Sequence, residues 1–458
     1  MTQLTDTPVA APQPPPDVVT VEVGSTMTKV NAFAVVDGAF THLAQGFAPT
    51  SVADGDVGVG VAQARDDLRR RYGLDSSGVT TYVNSSAAGG LRMSVHGLTA
   101  GMTARAAREA SLGAGAIVGM VTAGRLSPYD LSQLEDLAPT VVLLAGGVDH
   151  GERDIVIDNA RALAATVTDL PRRPPIVYAG NIAARGDVRD IFEQAGLQVL
   201  IADNVFPEVD VLAVEPLRAV IHDVFSEHIV HAPGMSALAQ ITDHDILPTP
   251  GAVLAAAEAF AQAVGDVLVV DVGGATTDVH SVTDGSAELA PSYADPEPRA
   301  KRTVEGDLGV FVNARIVAQA SGDADWADRL THLRAMPDTD EEQAVTRWLA
   351  ERAVDVGIRR HAGTIADLYT PTGKRHVVRG KDLTAVRWVV ATGGALTKIP
   401  GAADALARAC TGQGRHLLPP PDARLLVDDQ YRFSALGTLA AHHPDQVRET
   451  LRRWATTA

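Results

Sequence analysis

Two carboxylates frame a glycine pair near the middle of the chain, in the stretch LVVDVGGATTDV from Leu268 to Val279. Asp271 stands before the glycines, and Asp278 follows two threonines. Glycine lets backbone amides converge on an anion, because no Cβ intervenes. The carboxylates would repel a phosphate unless a divalent cation lay between them, and Mg²⁺ commonly takes few protein ligands. The pattern therefore predicts a magnesium–phosphate site in which Asp271 holds metal-bound water or orients an attacking water.

The donors of this turn are backbone amides and hydroxyls, and we predict phosphate contacts from Gly273, Gly274, Ala275, Thr276 and Thr277. A similar turn occurs early in the chain, in VEVGSTMTKV from Val21 to Val30. Its candidates for the same contacts are Gly24, Ser25, Thr26, Thr28 and Lys29. Lys29 adds a positive charge, although strand alternation leaves the direction of its side chain open. Each hydrogen bond to a charged phosphate contributes about 1.5–3 kcal/mol.

A third glycine pair follows an apolar run in VVATGGALTKIP, from Val389 to Pro400. This turn carries no carboxylate. Gly393, Gly394 and Ala395 would allow a flat ring to lie against the backbone, which suits a nucleoside better than a metal ion. The three turns together predict a site for a nucleotide with its metal.

Strands must hold the first two turns in place. Val18–Val23 and Thr28–Val36 read as strands around the first turn, and Val267–Asp271 and Val279–Thr283 read as strands around the second. In each case a hairpin-type turn follows, which suggests two related halves. Between them, short apolar runs alternate with amphipathic helices. That rhythm predicts a parallel sheet covered by helices, placed at residues 103–203 as an extra Rossmann-like module.

Composition limits the function further. The 458 residues carry 39 basic and 56 acidic side chains, a formal charge of −17, which argues against a general nucleic-acid binder. The single cysteine, Cys410, permits no internal disulfide and fits a reducing cytoplasm. No apolar run is long enough to span a membrane. We expect a disordered, proline-rich tail over residues 1–16 and a C-terminal tail over residues 446–458.

The three turns resemble the two phosphate loops and the adenosine loop of the actin-like ATPase superfamily, which includes sugar kinases and heat-shock ATPase chaperones. Other stretches narrow the resemblance to the glutamate mutase accessory proteins called MutL or GlmL, which are unrelated to the mismatch-repair protein of the same name. These stretches are VNSSAAGGLRMSVHGLT, LLAGGVDHG, VYAGN, DVGGATTDVHSV and RTVEGDLGV. The resemblance covers the chain from about Val18 to about Ala440.

The resemblance implies a bilobed α/β protein of the actin-like ATPase fold, with two related mixed-sheet halves at residues 17–250 and 251–445. ATP or ADP with Mg²⁺ would lie between the halves, and Asp271 and Glu22 would be the catalytic carboxylates. Both would act on the metal, with Asp278 acting through water. The superfamily normally has Asp at the position of Glu22, and Glu reaches one methylene further.

The resemblance also implies a partner and an activity. The protein would be a slow Mg-ATPase that releases damaged cobalamin from an adenosylcobalamin-dependent mutase, whose subunits would be its partners. Two alternatives stay open: a small-molecule kinase of the same fold, and a nucleotide-binding assembly factor without catalysis. The roles of Asn84–Gly90 and Glu305–Asp307 also stay open. Asp278 could assist a metal-bound water or only cap its turn.

Overall fold

The computed structural model describes residues 14–87, 90–320, 325–331, 333–370, 373–410 and 414–457. Residues 14–16 form neither helix nor strand, and the rest of the expected N-terminal tail lies outside the described residues. No helix in these ranges is long and apolar enough to cross a bilayer.

The first half begins with a strand meander and a helix: β1 (Val18–Val23), β2 (Met27–Val36), β3 (Ala39–Pro49), α1 (Val57–Tyr72) and β4 (Thr80–Ser85). Strands and helices then alternate: β5 (Arg92–Gly97), α2 (Arg105–Gly113), β6 (Ile117–Ala123), α3 (Pro128–Leu137), β7 (Val141–Leu144), α4 (Asp154–Thr168), β8 (Ile176–Tyr178), α5 (Arg185–Gln194) and β9 (Val199–Ile201). The half closes with α6 (Glu215–Ile229), α7 (Leu238–Ile241) and β10 (Leu247–Pro248).

The second half opens with α8 (Thr249–Ala263), β11 (Val267–Val272), β12 (Thr277–Val282) and β13 (Ala300–Glu305). It continues with α9 (Ala314–Ala320), α10 (Trp326–Arg329), α11 (Asp340–His361), β14 (Thr364–Thr370), β15 (Gly373–Arg379) and β16 (Trp388–Thr392). The last elements are α12 (Gly394–Thr397), α13 (Asp404–Cys410), β17 (Arg424–Val427), α14 (Arg432–Leu439) and α15 (Pro444–Thr457).

The two halves contain sheets of the same topology. The first sheet has the order β10-β4-β1-β2-β3, and the second has the corresponding order β17-β16-β11-β12-β13. In both, the central strand pairs antiparallel with the next strand of its meander and parallel with the strand on its other side. The prediction of two related mixed-sheet halves is therefore confirmed. The central strands are apolar because both of their faces are covered.

The extra module is a parallel sheet in the order β6-β5-β7-β8-β9. The chain runs from β5 to β6 and then crosses to the other side of β5, which is the flavodoxin-like order. The sheet thus begins at Arg92, earlier than the expected boundary at residue 103. The sequence pattern did not reveal β5 because this strand carries Ser94 and His96, which are polar and yet fully buried.

The C-terminal tail expected over residues 446–458 is not seen as a tail over its described part, because residues 446–457 lie in α15. Val447, Leu451 and Ala455 recur at helical spacing and are buried beside α8 and α14. Helices α8 and α14 approach each other very closely. A Cβ on Gly437 would lie 1.7 Å from the carbonyl oxygen of Ala252. Only glycine permits this contact, which brings the start of α14 to the junction of the two halves.

Candidate functional site

The two predicted phosphate turns share one backbone geometry. Gly24 N donates to Met27 O at 3.0 Å, and Gly273 N donates to Thr276 O at 2.9 Å. A Cβ on Gly24 would lie only 2.8 Å from Met27 O, so a side chain would disturb the turn. The middle residues of both turns are exposed: Ser25, Thr26, Gly274 and Ala275.

Two of the predicted hydroxyl donors face the protein interior. Thr28 is buried and its hydroxyl lies 3.1 Å from that of Thr50. Thr277 is also buried, and its hydroxyl donates to Leu308 O at 2.7 Å. These hydroxyls therefore hold the turns in place. Ser25, Thr26 and the partly exposed Thr276 stand nearer to solvent.

Glu22 and Lys29 oppose each other across β1 and β2 and form an ion pair, with 2.5 Å between Lys29 Nζ and Glu22 Oε1. The second oxygen of Glu22 accepts a hydrogen bond from the Ser434 hydroxyl at the start of α14. Both carboxylate oxygens of this 7%-exposed side chain are thus engaged by protein groups. Glu22 is held as a partner of Lys29.

The Lys29 ammonium lies over the ring of Tyr431, 3.8 Å from its centroid. Burial opposes the charge of Lys29, but Glu22, Tyr431 and Asp271 outweigh it and raise the pKa of the ammonium above its usual value. Lys29 therefore stays protonated at neutral pH. The sequence left the direction of its side chain open, and the structure points it toward the junction of the halves, near Asp271.

Asp271 lies opposite Asp278 on β12 and in register with Thr392 on β16. Its carboxylate accepts no hydrogen bond from the described part of the chain and has no ion-pair partner there within 4.0 Å. Burial, the neighbouring Asp278, and further away Glu22 and Asp428, raise its pKa to about 7, although Lys29 acts in the opposite direction. An unneutralised carboxylate of this kind is where a divalent cation would lower the free energy most.

No cluster of three or more metal-binding side chains occurs among the described residues. A single carboxylate such as that of Asp271 is enough for Mg²⁺, which keeps most of its waters and needs few protein oxygens. Asp271 is the carboxylate with free oxygens, so it is the residue that would hold the ion or its water.

Asp278 is engaged differently. Its Oδ1 lies 2.6 Å from Arg302 Nη2 and 2.8 Å from Nε, and its Oδ2 accepts from the Thr276 hydroxyl at 3.2 Å. Arg302 is 2% exposed, and its Nη1 donates to Leu112 O of α2 at 2.9 Å. The negative charge of Asp278 is thus balanced from the neighbouring strand β13, and the same guanidinium contacts the extra module.

The third turn lies directly against Asp271. Gly393 has a left-handed backbone (φ 84°), and a Cβ there would lie 2.3 Å from Asp271 Oδ1. Gly394 begins α12, and a Cβ on it would lie 3.6 Å from the Tyr431 hydroxyl. Ala395 is buried in the same short helix. The third turn therefore adjoins the carboxylate that precedes the second turn, and Lys29 after the first turn is close enough to lower the pKa of that carboxylate.

The start of α14 completes this junction. Asp428 accepts from the backbone N–H groups of Arg432 (2.6 Å) and Phe433 (3.1 Å) and from the Thr392 hydroxyl (3.1 Å). The capping carboxylate thus connects α14 to the end of β16. Tyr431, immediately before the helix, adopts a left-handed conformation (φ 52°) that directs its ring toward Lys29.

The sequence left open the roles of two segments, Asn84–Gly90 and Glu305–Asp307, and side-chain contacts connect both to other elements. Asn84 donates to the Thr438 hydroxyl and accepts from the Thr249 hydroxyl, both at 2.7 Å, and so connects β4 with α14 and α8. Glu305 and Asp307 pair with Arg360 of α11 at 2.7 and 2.8 Å. Residues 88–89 of the Asn84–Gly90 stretch lie outside the described residues.

The sequence as a whole matches the model of the MutL protein family over residues 18–455. The chain belongs to the MutL protein family. This MutL family member is 35% identical to Protein MutL of Clostridium tetanomorphum over 459 residues, covering 94% of this chain and 98% of that protein.

Solved structures with weaker similarity include nucleotide-free acetone carboxylase, at 15% identity and a TM-score of 0.43, covering 93% of this chain and 70% of that one. Another is the nucleotide-free diol dehydratase-reactivating factor, at 11% identity and a TM-score of 0.38, covering 93% and 99%. The family assignment rests on the sequence match.

Sequence reasoning missed four residues that shape the site of this MutL family member, namely Arg302, Asp428, Tyr431 and Ser434. None stands in a glycine turn, and each reaches the site from an element distant in sequence. The only local signal was Asp428 just before a predicted helix, since a carboxylate there is a common helix cap.

Proposed function

We propose that the junction of the three turns is a Mg-nucleotide site, and that the protein hydrolyses ATP slowly as an accessory protein of an adenosylcobalamin-dependent mutase. The observation that carries the nucleotide assignment is the position of Asp271. Among the described residues this carboxylate has no ion-pair partner within 4.0 Å, the third glycine turn lies directly against it, and Lys29 after the first turn is close enough to lower its pKa. The family membership supports the mutase as partner and the release of damaged cobalamin as the outcome.

Each part of the site has a proposed task. The amides and outward hydroxyls of Gly24–Thr26 and Gly273–Thr276 would bind phosphate oxygens, and the Lys29 ammonium would add a charge-assisted contact. Gly393–Ala395 would face the adenosine. Bound Mg²⁺ would neutralise phosphate charge and orient water. Asp271 would orient the attacking water and accept its proton.

Two assignments change with the contacts. Glu22, expected as a catalytic and metal-binding carboxylate, is proposed as the residue that positions Lys29, because both of its oxygens are engaged. Asp278, expected to act through water, is proposed as the counterion of Arg302. The single cysteine is buried, which is compatible with the cytoplasm that we infer as the protein's location.

Calorimetry with Mg-ADP and Mg-ATP tests the nucleotide site. We expect binding in the micromolar to millimolar range, weakened when Mg²⁺ is chelated. Asp271→Asn should lose the metal dependence, and the exposed Asp445→Asn is the matched control. Absence of binding, or equal metal dependence in Asp271→Asn, would contradict the site.

The partner assignment needs a separate experiment. A glutamate mutase blocked with cyanocobalamin is incubated with the protein and Mg-ATP, and free cobalamin is measured after filtration. Release that requires both protein and ATP supports the proposal. Binding of nucleotide without release under any condition would point to the non-catalytic assembly factor, and phosphate transfer to an added metabolite would point to a kinase.

A further inference from the structure

A pocket outside the nucleotide junction lies between the β2–β3 hairpin and helices α14 and α15. Its volume is about 520 Å³, within the range of small-molecule sites. Its apolar wall comes from Ala39, Leu436 and three aromatic rings, those of Phe33, Phe40 and Trp454. Polar side chains form the rest of the lining, among them His42, Gln430 and the guanidiniums of Arg432 and Arg453.

Arg432 brings a guanidinium to this pocket, and Asp428 acts on its charge only from beyond ion-pair distance. Within the described residues, no carboxylate lies within 4.0 Å of its guanidinium, and its side-chain N–H groups donate only to Gln430 Oε1, at 3.1 and 2.9 Å. The guanidinium also lies over the Trp454 ring, with Arg432 Cζ 5.3 Å from the ring centroid. By contrast, the neighbouring Arg453 is paired with Glu449 at 2.8 Å.

The imidazole of His42 adds no charge to the pocket. Burial and the nearby Arg432 lower the pKa of His42 to about 4, so its imidazole is neutral at physiological pH. His42 Nε2 lies 3.2 Å from Asn31 Oδ1. The pocket thus combines an apolar wall with one guanidinium that forms no close ion pair within the described residues, in a protein whose net charge is −17.

We propose that this pocket is a second ligand site, for a small molecule with one carboxylate and a planar or aliphatic apolar body. The carboxylate would lie on Arg432, whose planar donors suit carboxylate oxygens. The rings of Phe33, Phe40 and Trp454 would cover the apolar body and exclude water from the ion pair, which strengthens it.

The pocket is directly connected to the nucleotide junction. Arg432 follows Tyr431, whose ring contacts Lys29, and the Arg432 backbone N–H donates to Asp428. Asp428 in turn accepts from Thr392, the residue before Gly393. Occupancy of the pocket should therefore change the affinity for Mg-ADP, and the effect must be reciprocal. This connection rests on the proposed nucleotide site, whereas binding in the pocket does not.

The first experiment compares 2-naphthoate with its neutral analogue 2-naphthamide by calorimetry on the full chain. We expect naphthoate to bind at least about tenfold more tightly, because only its carboxylate can pair with Arg432. Arg432→Gln should remove this preference, and Arg432→Lys should restore part of it. Trp454→Leu should weaken both probes alike. Arg452→Gln, an exposed arginine of α15, is the control and should change neither.

Equal affinity of the two probes for the wild-type chain, or an unchanged preference in Arg432→Gln, would overturn the second site. The second experiment measures Mg-ADP binding with and without saturating naphthoate. We expect the affinity to change severalfold in the wild type and to stay constant in Arg432→Gln. An unchanged affinity in the wild type overturns the connection. Failure of Mg-ADP to bind under every condition would count against the nucleotide site, and the probe comparison would still decide the pocket.

Discussion

The turns after β1 and β11 have the same backbone geometry, but the strands beside them carry different charges. Each glycine closes its turn with the same hydrogen bond, and the strands on either side are paired in the same register. In the first hairpin the cross-strand pair is Glu22 with Lys29, an ion pair. In the second it is Asp271 with Asp278, two carboxylates.

This difference shows how a duplicated fold can divide one task. The first hairpin is balanced internally, so its lysine is fixed in place by its own neighbour. The second hairpin has an excess of negative charge. Arg302 of the neighbouring strand β13 balances Asp278, and Asp271 has no ion-pair partner within 4.0 Å among the described residues. We therefore propose that Lys29 of the first hairpin contacts the phosphates and that Asp271 of the second hairpin contacts the metal.

The largest effect on stability should come from removing the Arg302 guanidinium, which pairs with Asp278 of the second hairpin. Arg302→Met leaves the buried Asp278 unpaired and should cost about 3–5 kcal/mol of unfolding free energy. Asp278→Asn combined with Arg302→Met should cost clearly less, because no buried charge is left alone. Denaturant unfolding measures both. If the double variant is as unstable as the single one, Asp278 is not balanced by Arg302.

Gly393→Val should be nearly as severe. Its Cβ would collide with Asp271 and its φ of 84° strains any β-branched residue, so we expect a loss of about 2–4 kcal/mol in stability and of Mg-ADP binding. Gly394→Ala is the matched control, since its Cβ would make an ordinary contact at 3.6 Å. Equal effects of the two substitutions would contradict the close contact between the third turn and Asp271.

Asp271→Asn and Glu22→Gln test the division of labour directly. Asp271→Asn should lower the rate of Mg-dependent ATP hydrolysis about 10²-fold or more, since it removes the proton acceptor. Glu22→Gln should weaken nucleotide binding while a larger part of the turnover rate remains, because it acts through Lys29. The rates are measured as phosphate release at saturating Mg-ATP. Equal losses of turnover in both variants would contradict the proposal that Asp271 takes part in the chemistry whereas Glu22 only positions Lys29.

Lys29→Met should weaken Mg-ATP binding about tenfold, the loss expected for one charge-assisted contact. Lys398→Met is the control, because Lys398 lies on the same tyrosine, 5.2 Å from the centroid, but donates to Asp429 O. Calorimetry distinguishes the two. A larger loss of Mg-ATP affinity in Lys398→Met than in Lys29→Met would show that Lys398, and not Lys29, contacts the phosphates.

The smallest effect concerns pH. The pKa of Asp271 is raised from 3.8 to about 7 in the folded protein, so its contribution to stability is full below about pH 4 and is lost as the pH rises through 7. Asp271→Asn should therefore raise the melting temperature by a few degrees at pH 8. The same substitution should give little gain near pH 3, below the unfolded-state pKa, where Asp271 is mostly protonated in both states. Mg-nucleotide affinity should increase from pH 6 to pH 8 in the wild type, because the ionised carboxylate attracts the metal. A melting-temperature gain that is independent of pH would rule out Asp271 as the titrating group.

Much of the fold was readable from sequence. The strand–glycine–strand pattern predicted both hairpins and the relation between the halves, and the alternating runs predicted a parallel module. The prediction failed where polar residues are buried in a strand, as in β5, and where α15 was taken as a tail although Val447, Leu451 and Ala455 have helical spacing.

The sequence by itself determined the three glycine turns, because backbone freedom at glycine and the end of an apolar strand are local properties. Only the tertiary structure decided which carboxylate is free. Glu22 meets Ser434, Asp278 meets Arg302, and Gly393 meets Asp271, and each pair is joined by packing of elements far apart in the chain. Charge balance depends on these distances, and no spacing along the sequence specifies them.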